Sequence, residues 1–282
     1  MNGSRNGISD LSNADLTDQQ TIPVKAHSSP PAGNRSTGIL KLIALYFMLI
    51  DHLGAAVFTW IPELRIIGRI AFPIYCWCLV VGFHYSRSML KYLSRILLTG
   101  ILVQPLYAHV LNHRIASDNL FVSFYQAKPN VFFTLFLGLA ALWGLREKKW
   151  FSHLWAPAAA ILLAGLLNTD YGWKGVFFII LLWAARKERP AIAAVMIAFF
   201  LYWGTGYRVT GTLFGIPLNI SQLPAYLSQP LSAFLRLETY GLLSLPFILI
   251  PFRNNVRLPL WASYSLYPAH LLIVWAVKLI VR

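Results

Sequence analysis

This sequence predicts an all-α, polytopic membrane protein with about nine transmembrane helices, within a range of eight to ten. Three observations carry that prediction. Of 282 residues, 57% are hydrophobic and only 12% are charged. Apolar segments near the length that crosses a bilayer recur from residue 38 almost to the C-terminus. The Lys and Arg residues fall in short runs between those segments, as topology signals do. Lipid admits only helices or closed barrels, because every backbone polar group must be paired within the protein. The segments are uniformly apolar and do not alternate with period two, so helices are expected. The net charge of +14 would suit a nucleic-acid partner. Its distribution assigns it to membrane topology instead.

Residues 1–37 are rich in Asn, Ser, Gly, Pro and Asp and lack both hydrophobic periodicity and an initial apolar signal region. They are expected to be a disordered cytoplasmic tail, leaving 38–282 as one transmembrane domain. The first span is read over 38–60 and the second over 65–84. Pro73 should bend or interrupt the second. Arg65 and Arg69 share a face there at i,i+4, and Arg69, the deeper of the two, needs a partner or a ligand. A third span over 93–111 precedes a mixed polar and aromatic loop, 112–129. Spans four to seven are read at 130–146, 151–168, 171–186 and 190–206. Residues 207–235 carry Gly211, Gly215, Pro217, Pro224 and Pro230, too much punctuation for a clean span. A lid, a re-entrant loop or an interfacial segment fits them. Two last spans follow at 236–252 and 260–280. Counting Lys and Arg over this scheme favours a cytoplasmic N-terminus, with the C-terminus outside.

Few ionisable or amide groups lie inside the apolar segments: Asp51, His52, Arg69, Gln104, His109, Glu238 and His270. Such groups are costly at bilayer depth and face a protein interior or a watery cavity. Asp51 and His52 sit near the middle of the first predicted span, and His270 about halfway along the last. Neighbours on a helix diverge by about 100°, so Asp51 and His52 flank one cavity rather than share a line. A neutral imidazole, with a reference pKa near 6.5, can take a proton at working pH. A carboxylate on its other nitrogen would fix the tautomer and raise basicity. The same pair serves a general base, a proton relay in a transporter, or a hydrogen bond that locks two helices. Cys76 and Cys78, two residues apart inside a span, read as small apolar fillers. No spacing such as His-Glu-x-x-His supports a metal site.

The run Leu42-Ile-Ala-Leu through Met48-Leu-Ile-Asp-His-Leu-Gly54, followed by Ile67-Gly-Arg-Ile-Ala-Phe-Pro73, resembles the opening signature of the TraX family. Val81-Gly-Phe83 with Lys91-Tyr-Leu-Ser-Arg95 continues it. Asn130-Val-Phe-Phe-Thr-Leu-Phe-Leu-Gly138, Asp170-Tyr-Gly-Trp-Lys-Gly175 and Tyr267-Pro-Ala-His-Leu-Leu272 resemble its later blocks, in the right order. The resemblance implies a membrane-embedded acetyltransferase that moves an acetyl group from acetyl-CoA to an amine. The family's reference acceptor is the N-terminus of a conjugative pilin. The family is also distantly similar to multi-spanning membrane acyltransferases, in which an intramembrane His acts at a tunnel.

The resemblance puts His52 forward as catalytic base with Asp51 beside it, and more loosely His270 and Arg69 as catalytic positions. The chemistry agrees with that set: amine acetylation needs a positioned base and positive charge near the developing oxyanion. Arg69 suits the oxyanion. Arg87, Lys91 and Arg95, on the expected cytoplasmic side, suit the donor's phosphates, although positive-inside signalling alone would also account for them. No metal is expected. The competing reading is a proton-coupled transporter or exporter.

Overall fold

The computed structural model describes residues 29–111, 127–253, 256 and 258–281. The expected tail lies largely outside the described residues. Its last stretch, 31–36, is docked: Asn34 N–H donates to the Ile248 carbonyl at 2.6 Å, and the Trp77 indole N–H donates to the Asn34 carbonyl at 2.7 Å.

Helix α1, Thr37–Ala56, is built from strong helix formers with no internal Pro. Helix α2, Pro62–Gly68, begins with Pro at its first position and Glu63 in its first turn, both suited to a helix start. Helix α3, Ala71–Tyr85, follows after a break at Arg69 and Ile70. Pro73 has no N–H to give the Arg69 carbonyl, so the turn tightens: Arg69 and Ile70 donate three residues back, to Ile66 and Ile67. The expected interruption is therefore present, one turn before the proline. Helix α4, Met89–Leu111, runs on through Pro105.

Four shorter helices follow: α5 Val131–Glu147, α6 Ser152–Leu166, α7 Gly172–Ala185 and α8 Arg189–Gly204. Asn130 caps α5 by accepting from Phe132 N–H at 3.0 Å. Close backbone approach joins these helices. A side chain at Gly138 would meet Ile179 at 2.4 Å, and one at Gly144 would meet Ala156 at 2.4 Å. Small residues at such crossings let apolar helices pack tightly. Phe178, Phe199, Phe200 and Trp203 stack into the same core.

The segment after α8 is no span. It forms a two-residue hairpin, β1 Thr212–Leu213 paired antiparallel with β2 Ile216–Pro217, then α9, Ala225–Phe234, none of whose residues is buried. A 3₁₀ helix, Leu237–Ser244, leads through the short α10, Leu245–Leu249, to the final helix α11, Leu260–Val281.

The expectation of nine spans is corrected here. Among the described residues four helical stretches are long and apolar enough to cross a membrane: α1, α2–α3 together, α4 and α11. Helices α5 to α8 have 14 to 17 residues. At about 1.5 Å per residue they reach roughly 21–26 Å, short of the roughly 30 Å hydrocarbon core. The expected eighth span is an eight-residue 3₁₀ helix followed by a five-residue α-helix. These segments read as spans because they are apolar, but much of that apolarity serves the protein's own interior: Val176, Phe178, Ile179 and Leu182 of α7 are all fully buried. The outward faces of α4 and α11 are a different case. Leu98 and Leu102, and Leu272, Ile273 and Ile280, stay exposed, as lipid-facing residues do. The chain is a multi-pass helical membrane protein.

The two ends of the bundle differ. Arg35 reaches the Tyr85 hydroxyl, Arg146 lies over the Phe83 ring, and Arg189 donates to the Ala32 carbonyl. The start of α1, the end of α3 and the α7–α8 turn thus share one basic end. At the other end, Lys278 donates to the Val110 carbonyl, and Ala56, Val57, Val110 and Val274 cluster.

Candidate active site

Asp51 and His52 occupy the last turns of α1, nearer its C-terminal end than the middle. The break between α2 and α3 brings Arg65 and Arg69 against them. A side chain on Gly68 would sit 2.3 Å from the Asp51 Cβ, so only glycine lets α2 approach this closely. The Asp51 carboxylate is held by two guanidinium groups, Arg65 Nη1 at 2.5 Å and Arg69 Nη2 at 2.7 Å. Arg69 also donates through Nη1 to Glu238 at 3.0 Å and through Nε to the Arg65 carbonyl at 3.3 Å. Asp51, Arg69 and Glu238 are all buried. Buried charges persist where they are paired and hydrogen-bonded in this way.

The expected pairing of Asp51 with His52 is not the one found. The partner of His52 is His270, from the opposite end of the chain, with Nδ1 to Nε2 at 2.9 Å and the rings stacked at 5.0 Å. One nitrogen of this pair donates and the other accepts, and the remaining nitrogen of His270, Nδ1, is buried without a hydrogen-bond partner among the described residues. His52 Nε2 is the nitrogen left outside the pair. Tyr267 packs edge-on against His270 at 4.6 Å, and Tyr107 edge-on against His52 at 6.4 Å.

His52 lines a polar cavity of about 530 Å³. Asp51, Arg65, Arg69, Tyr107 and Glu238 line it too, with two groups from the α6–α7 turn and its neighbour, Asp170 and Lys128. These last two are positioned by an amide network. Gln104 accepts from the Asn130 N–H at 2.9 Å and from its side-chain amide at 2.8 Å, and donates to the Lys128 carbonyl at 3.1 Å. Asp170 N–H donates to the Pro129 carbonyl at 2.9 Å, and Lys128 Nζ to the Asp170 carbonyl at 2.7 Å. Gly172, at φ +54°, makes the left-handed turn that carries the chain from Asp170 into α7. Burial pushes the Asp170 carboxyl above the usual carboxylate range, against the pull of Lys128 and Arg69 and of its hydrogen bond with Tyr107.

A second, slender cavity of about 80 Å³ lies toward the basic end, mostly apolar and lined by Lys41, Tyr75, Cys78, Tyr92 and Tyr264. Tyr267 lines both cavities. Arg87 and Lys91 are exposed at the α3–α4 turn, while Arg95 is half-buried and hydrogen-bonded to Tyr264. These three therefore lie apart from the histidine pair.

The structure gathers His52, His270, Asp51 and Arg69 around one site. Asp170, Tyr107 and Lys128 join them, although the sequence put none of the three forward as a site residue. Asp170 had a signal in its motif block; Tyr107 and Lys128 had none. Cys76 and Cys78 are buried free thiols, and no cluster with the makings of a metal site occurs among the described residues. His109 is exposed near Trp275, away from the cavity.

Residues 36–278 match the family described as TraX protein. The chain is 33% identical over 202 residues to a Dichelobacter nodosus protein named "Probable fimbrial assembly protein FimC, serogroup H1", covering 68% of this chain and 79% of that one. It is 30% identical over 95 residues to the Rickettsia prowazekii (strain Madrid E) "Uncharacterized protein RP591", covering 34% of this chain and 36% of that one. No solved structure matches the chain significantly.

Proposed function

The chain belongs to the TraX family, and from that premise we propose that it is a membrane-embedded acetyltransferase that moves the acetyl group of acetyl-CoA to an amine. The observation that carries this reading is the His52–His270 pair, whose His52 lines a polar cavity. Two histidines held nitrogen to nitrogen have one basic site and one orienting partner. His52, through Nε2, is the general base. His270 fixes its tautomer and ring angle, the role sequence reasoning gave to Asp51. Asp51 and Arg69 form the charged floor of the site, and the arginine supplies positive potential where the carbonyl oxygen gains charge.

The reaction forms a C–N bond and breaks a C–S bond. The amine attacks the thioester carbonyl, and the tetrahedral centre collapses with release of the coenzyme A thiolate. His52 takes the proton from nitrogen and returns it to that thiolate. Two cavities with Tyr267 lining both support a two-sided arrangement. The donor enters along the apolar cavity from the basic end, its phosphates held by Arg87, Lys91 and Arg95. The acceptor enters the polar cavity from the other end. With the basic end cytoplasmic, as the positive-inside rule favours, the donor pool and the donor entrance lie on the same side of the inner membrane. The FimC relative, named for fimbrial assembly, makes a pilin-type subunit the first acceptor to try.

Purified protein in detergent, given labelled acetyl-CoA and a panel of amines and sugars, tests this. Acceptor-dependent release of coenzyme A, lost in His52→Ala, is the expected result. Movement of an unmodified solute in proteoliposomes without thioester turnover would replace acetyl transfer with proton-coupled transport.

A further inference from the structure

Three carboxylates face the polar cavity, and two already have cations. Asp51 is held by Arg65 and Arg69, and Glu238 by Arg69 with a hydrogen bond to Tyr207. Asp170 differs. Among the described residues its carboxylate makes no ion pair, and its side-chain partner is the neutral Tyr107 hydroxyl. The ammonium of Lys128, close by, is engaged with the Asp170 main-chain carbonyl instead. A partly buried carboxylate with no cation at ion-pair distance is costly, and a cavity that keeps one is set up to receive a cation.

The wall beside it suits the same guest. Tyr171, Trp173, Trp203 and Tyr207 all line this cavity. Aromatic faces attract ammonium groups through the ring quadrupole. One such contact already exists at its edge, where Lys174 Nζ lies 5.9 Å from the Trp173 ring centroid and 5.6 Å from that of Tyr202. We infer that the Asp170 carboxylate and this aromatic wall form the seat of a primary ammonium, so that the cavity takes its acceptor as a charged amine. The word acceptor rests on the acetyl-transfer reading; the ammonium seat rests on the cavity.

The seat completes the proton accounting. A charged amine must lose two protons to become an amide. The first passes to Asp170, leaving a lone pair on nitrogen, and returns from there to solvent. The second passes to His52 as the C–N bond forms, and on to the thiolate as the C–S bond breaks. Tyr107 links the two stations, hydrogen-bonded to Asp170 and packed against His52.

Calorimetric titration of the purified full-length protein in detergent at pH 7 tests the seat without turnover. The probes are trialanine amide, which carries an N-terminal ammonium, and its N-acetyl form, which does not. The wild type should bind the free-amine probe at least about tenfold more tightly, as a hydrogen bond between charged groups would give. Asp170→Asn should erase that preference, and Asp170→Glu should keep part of it. Equal binding of both probes by the wild type, or full preference retained by Asp170→Asn, would overturn the inference. A preference that stands while acetyl-CoA turnover is absent would remove the enzyme reading and support the seat.

Discussion

At His52 the question is which nitrogen is free, and the answer comes from His270. His52 pairs with His270 through Nδ1, which leaves Nε2 as the nitrogen the proposed mechanism uses as its base. The two histidines should therefore fail differently. His52→Ala should lose roughly 10²–10⁴ in kcat with the fold intact. His270→Ala should lose roughly 10–100-fold, as orienting partners do, with the donor KM unchanged. Steady-state kinetics at matched folded protein would check this; an inactive His270→Ala beside a working His52→Ala would reverse the assignment. Asp51 carries a different burden. Asp51→Ala leaves Arg65 and Arg69 without their shared carboxylate and should cost about 3–5 kcal/mol in reversible unfolding. Asp170 has the opposite stability sign. Its folded carboxyl titrates above its unfolded value because of burial. Between those two values the folded state binds the extra proton, so stability falls as pH rises through that window, and the penalty is complete above the folded value. Asp170→Asn removes that slope. Thermal melts should show the variant gaining on the wild type as pH rises from 4 to 8; parallel curves would mean the carboxylate carries no such penalty.

At the scale of elements, the site is assembled by breaks rather than by long helices. The tightened turn before Pro73 aims Arg69 at both Asp51 and Glu238. The tip of the hairpin after α8 is tied to α2 at the same end by Phe214 N–H, which donates to the buried Glu63 carboxylate at 2.7 Å. Glu63→Gln should weaken that bond by about 1 kcal/mol. Hydrogen exchange across 212–217 should accelerate while α1 keeps its protection; unchanged exchange would mean that the strand pairing alone holds the hairpin tip. The short helices depend on small residues where they cross. Gly138→Val, which places new atoms into Ile179, should destabilise the α5–α7 pair by about 1–3 kcal/mol in unfolding measurements.

At the scale of the whole molecule, one end is basic and the other holds the histidine cavity and the hairpin. The N-terminal end of α1 belongs to the first, and the C-terminal end of α11 to the second. In vesicles of known orientation, a cysteine at position 87 and one at position 212 should label from opposite sides, with 87 cytoplasmic. Labelling of both from one side would remove the two-sided arrangement of donor and acceptor.

Sequence by itself determined the class of this protein and drew attention to the polar residues of its candidate site. Membrane helices follow from composition, because nothing else satisfies backbone groups in lipid. His52, Asp51, Arg69, His270 and Glu238 were legible because a polar group in an apolar run must have a reason. The break near Pro73 was legible because it is local backbone chemistry. What tertiary structure decided is everything that depends on long-range pairing. Apolarity alone does not say whether a segment faces lipid or its own protein, so five expected spans became short helices and 3₁₀ turns. Adjacency in sequence put Asp51 with His52, yet helical divergence sent one to the arginines and left the other to a histidine 218 positions away. Lys128 and Tyr107 are ordinary in sequence, and Lys128 joins the site because Gln104 and Asn130 pin its turn.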